Sequence, residues 1–104
     1  MSSLARQVAD KATEAQARQC RHMDAELKFC RLILSRCDAL ANHGESESAT
    51  RDAWLVEDTA SAIERVLAKV ENAERLNRYR TELTCVNCRL DELKRCLGIS
   101  LERN

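Results

Sequence analysis

The sequence predicts an all-α protein, built as a long antiparallel helical hairpin of the coiled-coil kind. Three observations predict it. No proline and only two glycines interrupt 104 residues. A third of the residues are charged, and Ala, Leu, Glu, Arg and Lys dominate the chain, which is the composition of long helices. Apolar residues recur at steps of three and four over most of the length, the period of a helix face. The three aromatics are Phe29, Trp54 and Tyr79. An aromatic side chain ordinarily buries about 150–250 Å², and with only these three the core is thin. Stability is therefore expected to be shared with partner chains.

The first helix is expected over about residues 3–43. Ala5, Val8, Ala12, Ala15, Met23, Leu27, Cys30, Ile33, Leu34, Cys37, Leu40 and Ala41 fall on one face. From Cys20 the spacing is heptad-like. Around Phe29 to Leu34 the apolar residues spread nearly all round the helix, which implies burial on more than one side. His43-Gly44 closes the helix, a histidine in the last turn and then a glycine free to take the left-handed cap. Residues 44–50 form the turn, with Ser46, Ser48 or Thr50 as N-cap of the second helix.

The second helix is expected over about residues 51–97. Val56, Ile63, Val66, Leu67 and Val70 form a regular stripe. In a hairpin centred near Ser46, Trp54, Leu55 and Val56 lie level with Ala39 and Leu40. From Glu71 to Glu82 only Ala73, Leu76 and Tyr79 serve a core. A new stripe then begins at Leu83 and runs through Val86, Leu90, Leu93 and Leu97, on roughly the opposite side of the same ideal helix. With no glycine or proline to break the backbone, one continuous helix meeting different partners along its two halves is the first reading. The alternative is a three-helix bundle, with a break near Asn77 that folds Leu83–Leu97 back. Gly98 caps the last helix, Ile99 packs back on its final turn, and residues 98–104 are tail. The whole chain is one helical domain.

Six cysteines and two histidines carry whatever site chemistry there is. Cys30 and Cys37 sit within the Leu/Met face, where a free cysteine behaves as a small hydrophobe. Cys85, Cys88 and Cys96 instead share an arc of roughly 80° whose centre lies roughly 130° from the leucine stripe of their own helix. Cys85 and Cys88, three residues apart, form half of a tetrahedral zinc site. Cys96 shares their face, and Cys20 or His22 are candidates to complete the set. Cys20 and Cys30 also enclose nine residues, and Cys85 and Cys96 ten. This twin spacing resembles that of the small helical-hairpin proteins of the mitochondrial intermembrane space. The resemblance implies two helices joined by a short turn and stapled by two disulfides. The chain departs from that pattern, since 54 residues separate the two pairs.

Seventeen basic residues balance seventeen acidic ones, without the basic excess of a nucleic-acid binder. No run approaches the ~18 apolar residues of a membrane span. The N-terminus lacks a secretory apolar core, so a cytoplasmic location is expected, with a mitochondrial one as the alternative. No nucleophile–base pair or glycine-rich phosphate loop is present, and an enzyme is not expected. The expected role is a non-enzymatic scaffold or adaptor subunit, a homo- or hetero-oligomer formed by helical packing. Partner contacts are assigned to Phe29, Leu32, Trp54 and Leu55 near the turn, and to Leu83, Val86, Leu90, Leu93 and Leu97 at the far end. The alternative is a cysteine-based zinc-binding or disulfide-stapled helical module.

Overall fold

A computed structural model describes the backbone over residues 3–99 and the side chains of residues 11 and 13–99. The expected packing of Ala5, Val8 and Ala12 and the tail beyond Ile99 lie outside the described residues. Three helices make up the described chain, α1 (Ser3–Asn42), α2 (Ser46–Leu67) and α3 (Ala73–Leu97). Side-chain pairs fix their directions. Arg36 meets Asp52 and Cys37 meets Ala49, so α1 and α2 are antiparallel and centred on residues 43–44. Glu57 meets Lys94 and Leu67 lies beside Leu83, so α2 and α3 are antiparallel too. Asp24–Arg78 and Ser35–Arg89 share one sequence offset, so α1 and α3 run parallel. The result is an up-down-up bundle of 65 × 22 × 19 Å.

The two-helix hairpin is therefore replaced by the three-helix alternative, and the break lies at residues 68–72 rather than near Asn77. The chain needs neither glycine nor proline for it. The end of α2 tightens through three-residue hydrogen bonds, Lys69 N to Val66 O and Val70 N to Leu67 O. Asn72 then turns extended, and its side chain accepts from the Arg75 amide at 3.0 Å. Asparagine at this position satisfies one of the unpaired first-turn amides. The break also accounts for the phase shift between the two stripes, because a new helix is free to rotate Leu83–Leu97 toward the same core.

Both glycine caps form. Gly44 and Gly98 take positive φ, and Glu45 and Ile99 each donate to the carbonyl five residues back, Leu40 and Lys94. This is the Schellman arrangement, which ends a helix by satisfying its last carbonyls. The α1–α2 turn is shorter than the expected 44–50, since α2 already begins at Ser46. None of the expected N-caps acts, and Glu45 precedes α2 with no capping side chain. Thr50 instead bonds back to the Ser46 carbonyl.

The core runs the length of the bundle. Met23, Leu27, Cys30, Leu34 and Cys37 of α1 face Val56, Ile63 and Leu67 of α2 and Leu83, Val86, Leu90 and Leu93 of α3. Ala49, Ala53 and Ala60 let α1 and α2 approach closely near their turn. α1 has 40 residues against 22 and 25. Ala15 and Gln16 already lie beside the α2–α3 turn. The helix N-terminal to Ala15 therefore runs on past the bundle.

Candidate interaction surfaces

The residues expected to bind partners divide into two groups. Leu83, Val86, Leu90 and Leu93 are buried in the chain's own core, and Leu97 packs partly against it. Their partner is this chain, not another. The stripe is an apolar face, but the turn at 68–72 brings α1 and α2 to it. Near the α1–α2 turn the outcome differs. Phe29, Leu32 and Leu55 are the exposed large hydrophobics among the described residues, at 37, 60 and 40%.

Helical spacing sets these three on one flank of the α1–α2 pair. Leu32 and Phe29 precede Arg36 by one and two turns of α1, and Leu55 follows Asp52 by one turn of α2. Arg36 and Asp52 bridge the helices through two bonds of 2.7 and 2.6 Å. The patch is thus laid along the α1–α2 groove, bounded at one end by that bridge. Asp52 beside it raises the Arg36 pKa further above its ordinary value. On the helical wheel this groove faces away from α3, because α3 contacts the opposite shoulder of α1 at Asp24, Arg31 and Ser35.

Trp54 does not join that patch. It turns toward α3, where Lys94 Nζ stands 4.9 Å from its ring centre. Lys94 is more than a cation in the last turn of a helix. It is nearly sealed from solvent, its side chain 2% exposed, and bonded to Glu57 Oε1 at 2.7 Å. A buried ammonium needs a partner because desolvation is costly, and Glu57 with the Trp54 π-face supplies one. The signal is present in the sequence, since Lys94 stands four residues after Leu90, on the edge of the leucine stripe.

All six cysteines are free. Cys30 and Cys37 are buried, as the stripe predicts. Burial, then Glu26, outweighs Arg31 and pushes the Cys30 thiol up to about 11. Burial, then Asp52 and Asp38, raises Cys37 as well. Cys85, Cys88 and Cys96 are exposed on α3. The four-ligand set with Cys20 is not assembled. Cys20 lies beside Arg75 and Tyr79, and its carbonyl accepts from the Tyr79 hydroxyl at 3.3 Å. Cys85 lies beside Arg31 and Leu34. Tyr79 and Cys85 are six residues apart on α3, which is ~9 Å along the helix. That exceeds the ~7 Å Cα limit for a disulfide, and the stapled hairpin is not formed. Among the described residues no group of three or more His, Cys, Asp or Glu could hold a metal ion. His22 is exposed and belongs to no such group. Burial, then the contact with Cys20, raises the Tyr79 phenol.

No helix among the described residues is long and apolar enough to cross a membrane. No protein-family model, curated protein or solved structure matches the chain.

Proposed function

We propose that this chain is a non-enzymatic helical scaffold or adaptor subunit, and that it takes one amphipathic helix of a partner chain into the α1–α2 groove. The observation that carries this reading is the Phe29–Leu32–Leu55 patch. Two helices in contact present two grooves, and here α3 fills one of them. A fourth helix in the other would complete a four-helix bundle with the same core logic. Exposed large apolar residues gathered on one face mark interaction sites more often than singly scattered ones do. The Arg36–Asp52 bridge at the rim adds a fixed polar boundary, the usual surround of a docking core. Six unpaired thiols suit a reducing compartment such as the cytoplasm.

The test is the double variant Phe29→Glu/Leu32→Glu. Both side chains are exposed, so the fold is expected to persist, with helicity and melting temperature close to the parent. The mass of the assembly, read by light scattering after size exclusion from cells or with a co-purified partner, is expected to fall to that of the lone chain. An unchanged mass, or a parent that is already monomeric, overturns the reading. Leu90→Asp is not a substitute, because Leu90 is buried at 2% and its replacement reports on folding.

A further inference from the structure

The charges of α1 are sorted by face. Over residues 17–43, the direction opposite the core stripe gathers Arg18, Arg21, Lys28 and Arg36 within about 60° on either side, with Phe29 and Leu32 among them. All six are exposed. Asp24, Glu26 and Asp38, the acidic residues of the same span, lie roughly 80–120° away from that direction. Asp24 is bonded to Arg78 of α3, and Glu26 is half-buried beside Cys30. Arg36 is matched by Asp52. No ion pair among the described residues holds Arg18, Arg21 or Lys28. We infer that the partner helix taken up at the α1–α2 groove is an acidic one, with carboxylates along the side it turns to α1. This names the partner class for the function proposed above and rests on that reading.

The order along α1 gives the partner a pattern. Arg18, Arg21 and Lys28 spread over ~15 Å of helix at 1.5 Å per residue. Phe29 and Leu32 follow directly, and the Arg36–Asp52 bridge closes the far end. A helix of about 18 residues covers this length. One part of it meets the two apolar side chains, and the rest brings carboxylates to the three cations, whose long stems reach toward the groove. The α2 rim makes no matching demand. Glu47 and Arg51 pair with each other there at 3.5 Å, and both signs alternate along the helix. Each exposed ion pair adds little affinity, but three cations on one face select among helices by charge and repel a basic one.

Two other anionic classes fit the face less well. A nucleic acid calls for a basic excess and many phosphate contacts, whereas seventeen basic residues here balance seventeen acidic ones. A membrane surface calls for a continuous apolar face to insert. The apolar stripe of α1 is spent on the bundle core, and only Phe29 and Leu32, one turn apart, stand on its outward side as large apolar residues.

The experiment uses the full chain and three synthetic helices of about 18 residues that share one leucine–alanine face. They carry glutamate, glutamine or lysine at the positions flanking that face, and binding is read by fluorescence anisotropy. At low salt the glutamate helix is expected to bind about tenfold more tightly than the glutamine helix, and the lysine helix most weakly. The advantage is expected to vanish at about 1 M sodium chloride, where screening acts within ~3 Å. Arg18→Glu/Arg21→Glu/Lys28→Glu is expected to invert the order. Arg65→Glu, at an exposed cation of α2, is expected to keep it. All four positions are exposed, so helicity by circular dichroism is expected to match the parent in both variants. Equal binding of the glutamate and glutamine helices, or a glutamate preference that survives the triple variant, overturns this inference and leaves the groove reading standing. Binding of the glutamine helix that Phe29→Glu/Leu32→Glu does not weaken overturns the groove reading, and a parent that binds none of the three overturns both. Phosphatidylserine vesicles test the membrane. Their capture of the parent but not of the triple variant, without any glutamate preference, assigns the face to lipid and overturns the inference.

Discussion

Cys30 and Cys88 are the same residue type on helices of the same bundle, and they have opposite fates. Cys30 is fully buried between leucines, its thiol held protonated to high pH, whereas Cys88 stands in solvent on the outer ridge of α3. Lys94, only six residues beyond Cys88, is charged and almost completely buried. The contrast teaches that position on the helix face decides burial here, and a polar group is buried only where a partner is provided. Cys30 is buried because it continues the stripe of Met23, Leu27 and Leu34. Lys94 is buried because Glu57 and Trp54 meet it.

The widest difference between the two environments is kinetic. An aromatic disulfide reagent at neutral pH is expected to modify Cys85, Cys88 and Cys96 at rates near those of a free peptide thiol. Cys30 and Cys37 are expected to react only through unfolding, slower by several orders of magnitude. Mass-mapped labelling measures this. Comparable rates at Cys30 and Cys88 would break the comparison.

Next in size is the cost of removing what makes Lys94 tolerable. Glu57→Ala leaves a buried ammonium facing the Trp54 ring alone. Loss of one partner of a buried pair costs about 3–5 kcal/mol. Glu57 keeps a quarter of its exposure, so the expected loss is reduced to about 1–3 kcal/mol. Lys94→Met, which removes the charge and keeps the length, is expected to match the parent within about 1 kcal/mol or exceed it. Urea midpoints of the two variants decide the point.

Alkaline pH sharpens the same contrast. The Cys30 pKa is raised from 9.0 to about 11 in the fold. Below pH 9 its contribution is complete, because the thiol is protonated in both states. Between pH 9 and 11 the unfolded thiol ionises while the folded one stays protonated, so stability falls by about 2–3 kcal/mol in all. Cys30→Ala, itself about 1–2 kcal/mol less stable near neutral pH, is expected to lose less over that window than the parent. Cys88→Ala is the smallest effect, within about 0.5 kcal/mol of the parent near neutral pH.

Much of this is legible in the residues. The three apolar stripes, the two glycine caps and the separation of two kinds of cysteine all come from the helical period and the chemistry of glycine at positive φ. The break at 68–72 is not, because the bonds that make it are weakly encoded. A single asparagine caps α3, and no glycine or proline marks the site. That one ambiguity moves Leu83, Val86, Leu90 and Leu93 from a partner to the chain's own core. It also sets the levels of Cys20 and Cys85, which depend on where α3 begins. The exposure of Phe29, Leu32 and Leu55 depends on it in turn. An apolar residue in a helix that is apolar all round reveals its free side only when the neighbours have taken theirs.

The short α1–α2 turn has a consequence for the order of assembly. Closing α1 on α2 needs the three-residue loop 43–45 and closing α2 on α3 the five-residue loop 68–72, whereas bringing Tyr79 to Cys20 spans 59 residues. The hairpin of α1 and α2 is therefore expected to zip first, and α3 to dock late on a surface already made. In denaturant-jump kinetics, Leu90→Ala should accelerate unfolding and leave the refolding rate nearly unchanged. Leu34→Ala, by contrast, should slow refolding. During the interval before docking, the hairpin has both grooves open. On the proposed function, a partner helix arriving then would compete with α3 for one of them.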